Sequence, residues 1–217
     1  MEIEDKKNDK MNRKIGIYSS LVTFFAVFAF ALCMLAGIIC GNNTIVKQGG
    51  YFSSIFIALG YIPMVCAYFS FTKKENISAG IIALSFAIMY GILITIVYYA
   101  QLTTVRLSEL SEEATLLLDY SKFGLFFNYD LLGYMFMALS TFFIGITLVQ
   151  KDKKEIWLKK LLCIHGIFAL TCFIMPILGV FNSNLAGGDT IGFIILEFWC
   201  IYFMPICILS YKHFKNK

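Results

Sequence analysis

Histidine is almost missing from this chain, with two residues, His165 and His213, in 217. Two histidines cannot build a multi-histidine metal centre, and no HExxH run is present. No GxSxG elbow and no Walker A loop occur, so serine-hydrolase and P-loop phosphate chemistry lack their residues. Charge is scarce too, at 15% of residues, where an ordinary soluble domain carries about a quarter. Proline is limited to Pro63, Pro176 and Pro205. Cysteine is more plentiful. Its seven residues, Cys33, Cys40, Cys66, Cys163, Cys172, Cys200 and Cys207, form no CxxC pair and fall inside apolar runs. They read as small hydrophobes, with no disulfide framework and no zinc site among them.

Apolar length fills the space that charge leaves. Hydrophobic residues make up 59% of the chain, and the mean hydropathy is +0.76. Six runs are long enough to cross a hydrocarbon core of about 30 Å as helices. They cover about 15–40, 51–72, 77–101, 124–150, 161–181 and 190–211. The pattern predicts an all-α polytopic transmembrane helical bundle, one domain over 15–211. A charged tail precedes it (1–14) and a short basic tail follows (212–217). The first run exceeds the h-region of a cleavable signal, so it is expected to remain as a span.

The cations orient the bundle. All but three of the eighteen Lys and Arg fall in the N-terminal tail, at Lys73 and Lys74, over 151–160, or in the C-terminal tail. The exceptions are Lys47, Arg106 and Lys122. Basic residues are retained on the cytoplasmic side of short loops. Both termini are therefore expected in the cytoplasm, in a multi-pass protein of the cell membrane. The net charge of +4 belongs to this pattern, and no basic face is left for nucleic acid. Tyr51, Tyr98, Tyr99, Tyr120 and Tyr129 mark the outer edge, Tyr18 and Tyr211 the inner one, and Trp157 suits an interfacial anchor.

Connections are short except for 102–123. There Leu107, Leu110, Ala114, Leu117 and Leu118 recur at helical spacing among Glu109, Glu112, Glu113 and Asp119. This reads as an extracytoplasmic amphipathic helix on the outer surface. It serves either as a lid or extension of the third span, or as a docking or gating element. Ala79, Ala83, Ala87 and Gly91 make a small-residue seam along the third span, and Ala29, Cys33 and Gly37 one along the first. Such seams let helices approach closely, within one chain or between chains. The prolines lie inside spans, where each frees a carbonyl one turn earlier.

Ionisable groups inside a membrane are costly, and each is a functional-site hypothesis. Glu197 stands out, in Ile194-Ile195-Leu196-Glu197-Phe198-Trp199, about 10 Å below the outer edge at ~1.5 Å per residue. Phe193, Cys200, Met204 and Cys207 share its face. It is either a ligand, proton or cation site, or a carboxyl bonded to a neighbouring helix. Asp130 follows Asn128 and Tyr129 near the outer end of the fourth span. It reads as an interfacial helix-start carboxylate, or as part of an outward-opening pocket with Glu197 and Arg106. His165 lies on the small face of the fifth span with Ala169, Cys172, Pro176 and Gly179. Its expected height is ~14 Å from Glu197. A lone interior histidine reads as a hydrogen-bonder, with haem ligation as the remote alternative. No other cofactor is required, and no metal set is present. Asn42-Asn43-Thr44 matches a glycosylation sequon, but lies against the membrane in a chain of bacterial Lys/Ile/Phe-rich style.

Leu131-Leu132-Gly133-Tyr134, Leu139-Ser140-Thr141-Phe142-Phe143-Ile144-Gly145 and Glu197-Phe198-Trp199-Cys200-Ile201-Tyr202-Phe203 resemble stretches of small, uncharacterised six-helix integral membrane proteins of low-GC Gram-positive bacteria. The resemblance covers mainly the second half. It implies a fold and a membrane location, and no activity. Two functional readings follow from the residues. One is a module that binds or transports a small ligand or ion in an outward-facing intramembrane pocket, using Glu197, with Asp130, His165 and Arg106 as further candidates. The other is a non-catalytic accessory or scaffold subunit, docking a membrane protein partner or a second copy of itself through its seams and outer helix. Glu197 with Cys200 is not a sufficient catalytic set, so an enzyme ranks below both.

Overall fold

The computed structural model describes residues 2–39, 44–150, 152–181 and 188–217. Helices are α1 (Glu2–Ile39), α2 (Thr44–Ser70), α3 (Ile77–Leu102), α4 (Thr104–Leu107), α5 (Glu112–Leu118), α6 (Leu125–Thr147), α7 (Lys153–His165), α8 (Ile167–Ile177) and α9 (Gly188–Lys215). Two 3-10 turns, Lys74–Asn76 and Tyr120–Lys122, complete the described elements, and no strand occurs among the described residues. Six stretches are long and apolar enough to cross a membrane: Asp9–Ile39, Thr44–Ser70, Lys74–Leu107, Leu125–Thr147, Lys153–Ile177 and Gly192–Lys215. A helix satisfies its own backbone groups, which is what an apolar run in lipid requires.

The helices form a ring in chain order. α1 packs on α2, α2 on α3, α3 on α6, and α6 on α7 and α8; α7 and α1 both close onto α9. Arg13 donates to the Lys215 carbonyl at 2.8 Å, so both termini lie at one end, here the termini end. The opposite, far end carries residues 103–124.

Small residues set the crossings. A Cβ on Gly60 would stand 2.9 Å from the Thr23 backbone nitrogen, and one on Gly145 3.1 Å from the Cys163 nitrogen. The α3 seam packs within the chain. Ala83 and Ala87 are buried, and Ser140 of α6 donates to the Ala83 carbonyl at 2.7 Å. Gly49 and Gly50 of α2 meet Cys33 of the α1 seam. Six described cysteines are free thiols; Cys40 lies outside the described residues.

Several boundaries differ from the sequence reading. The tail 1–14 is already helical from Glu2, and the loop expected over 41–50 is helical from Thr44. The inner loop 151–160 is the start of α7. Asp152 caps it by accepting from the Glu155 nitrogen at 2.8 Å, a strong local stop for orphan N–H groups. Charge kept these residues out of the apolar run without unwinding them. The basic tail 212–217 continues α9 to Lys215, with Phe214 fully buried against Gly16 and Tyr68. The fifth span breaks at Gly166, between α7 and α8. α8 ends with Gly179 at φ 66°, its N–H on Pro176 and that of Val180 on Met175, a Schellman close. Asn42 and Asn43 of the sequon and most of the expected turn 182–189 lie outside the described residues.

Over 102–123, expected to carry an amphipathic outer helix, the helix comes in two short pieces. α4 is one turn, 108–111 is extended or bent, and α5 holds seven residues. Ser111 caps α5 by accepting from Ala114 at 3.3 Å, which restarts the chain after the break. Leu110, Ala114 and Leu118 are half-buried, while Leu107 and Leu117 are exposed.

Candidate functional site

The far end holds a half-open cavity of about 580 Å³. Its walls come from the end of α1 (Phe30, Cys33, Met34), the start of α2 (Lys47, Gly50, Tyr51) and the start of α9 (Phe193, Leu196). Tyr98 of α3, Tyr120, Ser121 and Phe123 of the connecting segment, and Phe127 of α6 complete them. Tyr51, Tyr98 and Tyr120 pack together, with ring centroids 5.6, 5.8 and 6.4 Å apart. Phe127 joins Tyr120 at 5.2 Å.

The segment 112–124 is strapped over this cluster by one side chain. Gln101 is buried, donates to the Leu118 carbonyl at 2.7 Å and accepts from the Tyr120 nitrogen at 3.1 Å. Asp119 accepts from the Ser121 nitrogen at 2.9 Å and its hydroxyl at 2.8 Å. Gly124 has no room for a side chain, because a Cβ would collide with the Leu116 carbonyl. Burial, and then the Asp130 carboxyl, pushes the Tyr120 phenol well above its usual range. That phenol therefore stays a donor.

Asp130 lies one phenol layer below the cavity. It is 1% exposed, and neither carboxyl oxygen meets a partner at full hydrogen-bond geometry, although the Tyr98 and Tyr120 phenols come near enough to favour its charge. The phenols of Tyr90, Tyr98, Tyr120 and Tyr134 all stand close enough to interact with its charge. Tyr90 and Tyr134 are buried with unpartnered hydroxyls, and their rings meet edge to face at 5.8 Å. The reading of Asp130 as an exposed interfacial carboxylate is thus corrected. Its neighbour Tyr129 is exposed, but the helical turn places Asp130 on the face that packs against α3.

The expected cluster of Asp130, Glu197 and Arg106 does not form. Arg106 is exposed and turns back to the Leu102 carbonyl at 3.0 Å. Ion pairs form elsewhere, as between Lys73 and Glu75. Glu197 is half-buried, with one unpartnered oxygen, next to Leu196 in the cavity wall.

His165 is 1% exposed and fully engaged. Trp199 donates its indole N–H to Nε2 at 3.0 Å, and Nδ1 lies 2.7 Å from the Thr141 hydroxyl. Indole nitrogen is only a donor, so Nε2 accepts and the proton sits on Nδ1, donated to Thr141. Thr141 in turn donates to the Ala138 carbonyl at 2.8 Å. No lone pair remains for iron, so these residues do not fit a haem. The expected ~14 Å separation from Glu197 also falls. His165 bonds Trp199, two residues beyond Glu197, because α7 starts eight residues before the apolar run does. His213, in the basic tail, is buried against Tyr68, with Nδ1 3.0 Å from the Glu155 carboxylate.

Sequence reasoning missed Tyr90, Tyr134, Gln101, Thr141 and Trp199, and treated Tyr98 and Tyr120 as edge markers. One signal was available. Tyr90, Ile94, Val97, Tyr98 and Gln101 share one helical face of α3, and Asp130, Tyr134, Met137 and Thr141 one face of α6. Compared with protein-family models, curated proteins and solved structures, the chain has no match.

Proposed function

We propose that this chain is a multi-pass protein of the cell membrane, with both termini in the cytoplasm, and that it binds or transports a small ligand in an outward-facing cavity. The six apolar helices support the membrane reading. The cation asymmetry supports the orientation, since Lys47, Arg106 and Lys122 alone belong to the far end.

The cavity carries the functional reading. Its volume of about 580 Å³ falls within the range of small-molecule sites. Its walls are mainly apolar and aromatic, with a few polar points: Lys47, Ser121 and the phenols of Tyr51, Tyr98 and Tyr120. Such walls suit a small, largely apolar molecule with one or two polar groups. Asp130 lies outside the cavity, below its tyrosines, and Glu197 stands beside the wall next to Leu196. The strap over 112–124 contributes Tyr120, Ser121 and Phe123 to the cavity wall. A second reading, as an accessory subunit, draws on Leu107 of α4 and on Leu116 and Leu117 of that strap, all exposed.

Cys33 gives the test, because its thiol lies in the cavity wall. In a variant keeping Cys33 as its only cysteine, a membrane-impermeant maleimide added to intact cells should label the protein. Added to sealed inside-out vesicles, it should not. Labelling from the cytoplasmic side alone would overturn the outward-facing cavity.

A further inference from the structure

We propose that the Asp130 carboxylate and the phenol oxygens of Tyr90 and Tyr134 form a binding site for one sodium ion, below the cavity and distinct from it. This goes beyond the cavity reading and stands without it.

Four oxygens carry the inference. Both carboxyl oxygens of Asp130 and the hydroxyls of Tyr90 and Tyr134 are buried, and none meets a partner at full hydrogen-bond geometry. Buried polar atoms are nearly always paired, so four orphans in one place need a common partner. Asp130 and Tyr134 lie one turn apart on α6, and the Tyr134 ring packs on Tyr90 of α3. Each of these two phenols also feels the Asp130 charge, which sets the four oxygens in one neighbourhood between two helices. The site is held from behind, since Tyr61 packs on Tyr90 at 5.5 Å and Trp199 on Tyr134 at 5.1 Å.

The chemistry of the donors selects the ion. All are oxygens, which suit a hard cation rather than a soft metal. The site holds one acidic group, so a monovalent ion leaves no net charge in an apolar interior, whereas a divalent ion leaves one. A proton satisfies one oxygen of the four. A cation draws on several at once, and sodium needs fewer ligands than the larger potassium. Tyr98 and Tyr120 stand between the carboxyl and the cavity, so rotation of these phenols gives the ion a path from the far end. Arg106 and Lys122 are exposed, and neither carboxyl oxygen of Asp130 meets a cation.

The test is thermal unfolding of the full chain in detergent, titrated with sodium chloride at constant ionic strength against choline chloride, with lithium and potassium chloride as further arms. The melting temperature should rise with sodium and saturate, with potassium much weaker. Asp130→Asn keeps the side-chain shape and should abolish the sodium response. Tyr134→Phe and Tyr90→Phe should each weaken it about tenfold or more, the scale of one lost contact to a charged group. Leu196→Trp fills the cavity and should leave the response intact, which separates this site from the ligand site above it. A wild-type response equal in sodium and choline overturns the proposal. So does a sodium response that survives Asp130→Asn, or one that only tracks pH.

Discussion

Replacing Thr141 with valine tests the buried chain Trp199–His165–Thr141. Valine matches threonine in shape and removes only the hydroxyl. The Nδ1 proton of His165 then faces no acceptor at a position 1% exposed. Leaving a buried donor unpaired costs about 1–3 kcal/mol. For a chain of 150–250 residues, each kcal/mol shifts the melting temperature by about 2–4 °C. The expected loss is therefore about 2–12 °C. The imidazole has a second route, moving its proton to Nε2, but that route breaks the bond from Trp199 and costs a similar amount. Fluorescence reads both events. Trp157 is exposed and Trp199 buried, so a Trp157→Phe background isolates the Trp199 signal. Emission should change with loss of its 3.0 Å bond if the proton moves, and stay constant if it does not. Thr141→Ser should restore the wild-type behaviour. Unchanged stability together with unchanged emission would refute the tautomer and the bond order assigned here.

Gln101→Leu should release the strap, since it leaves the Leu118 carbonyl and Tyr120 nitrogen unpaired at about 1–3 kcal/mol; hydrogen exchange over 112–122 should rise, while the rest of the bundle stays protected. Gly124→Ala forces a Cβ into the Leu116 carbonyl and should destabilise by about 1–3 kcal/mol, measured by denaturant or thermal unfolding. Arg106→Ala should change stability by less than about 0.5 kcal/mol, because its side chain is exposed and bonded only to its own helical turn; a large loss would revive the abandoned charge cluster.

The spans were legible because a bilayer imposes one strict rule, an unbroken apolar run of fixed length, and the six runs obey it. Their ends were not legible where charge and helix coincide. Lys153–Lys160 and Lys212–Lys215 are too polar to count as span, yet Asp152 caps the first and buried Phe214 anchors the second. The α3 seam could be seen in Ala83, Ala87 and Gly91, but its partner Ser140 lies 57 residues away and only the fold brings it near. The same limit governed the site. Glu197 stood out because its sequence neighbours are apolar. Asp130 was discounted because Asn128 and Tyr129 are polar or amphipathic neighbours in sequence, although they point elsewhere on the helix. What isolates a carboxyl is its neighbours in space, here four tyrosines drawn from α3, α6 and the strap. A lone histidine gave no hint of Trp199 and Thr141, which come from two other helices.

Native mass spectrometry on the protein released gently from its own membrane, wild type beside Leu196→Trp, tests the cavity most directly. The wild type should carry a small-molecule adduct that the tryptophan variant lacks, with both folded and equally stable. No adduct on the wild type and a stoichiometric protein partner in its place would contradict a ligand-binding cavity. An adduct that Leu196→Trp retains would contradict its location.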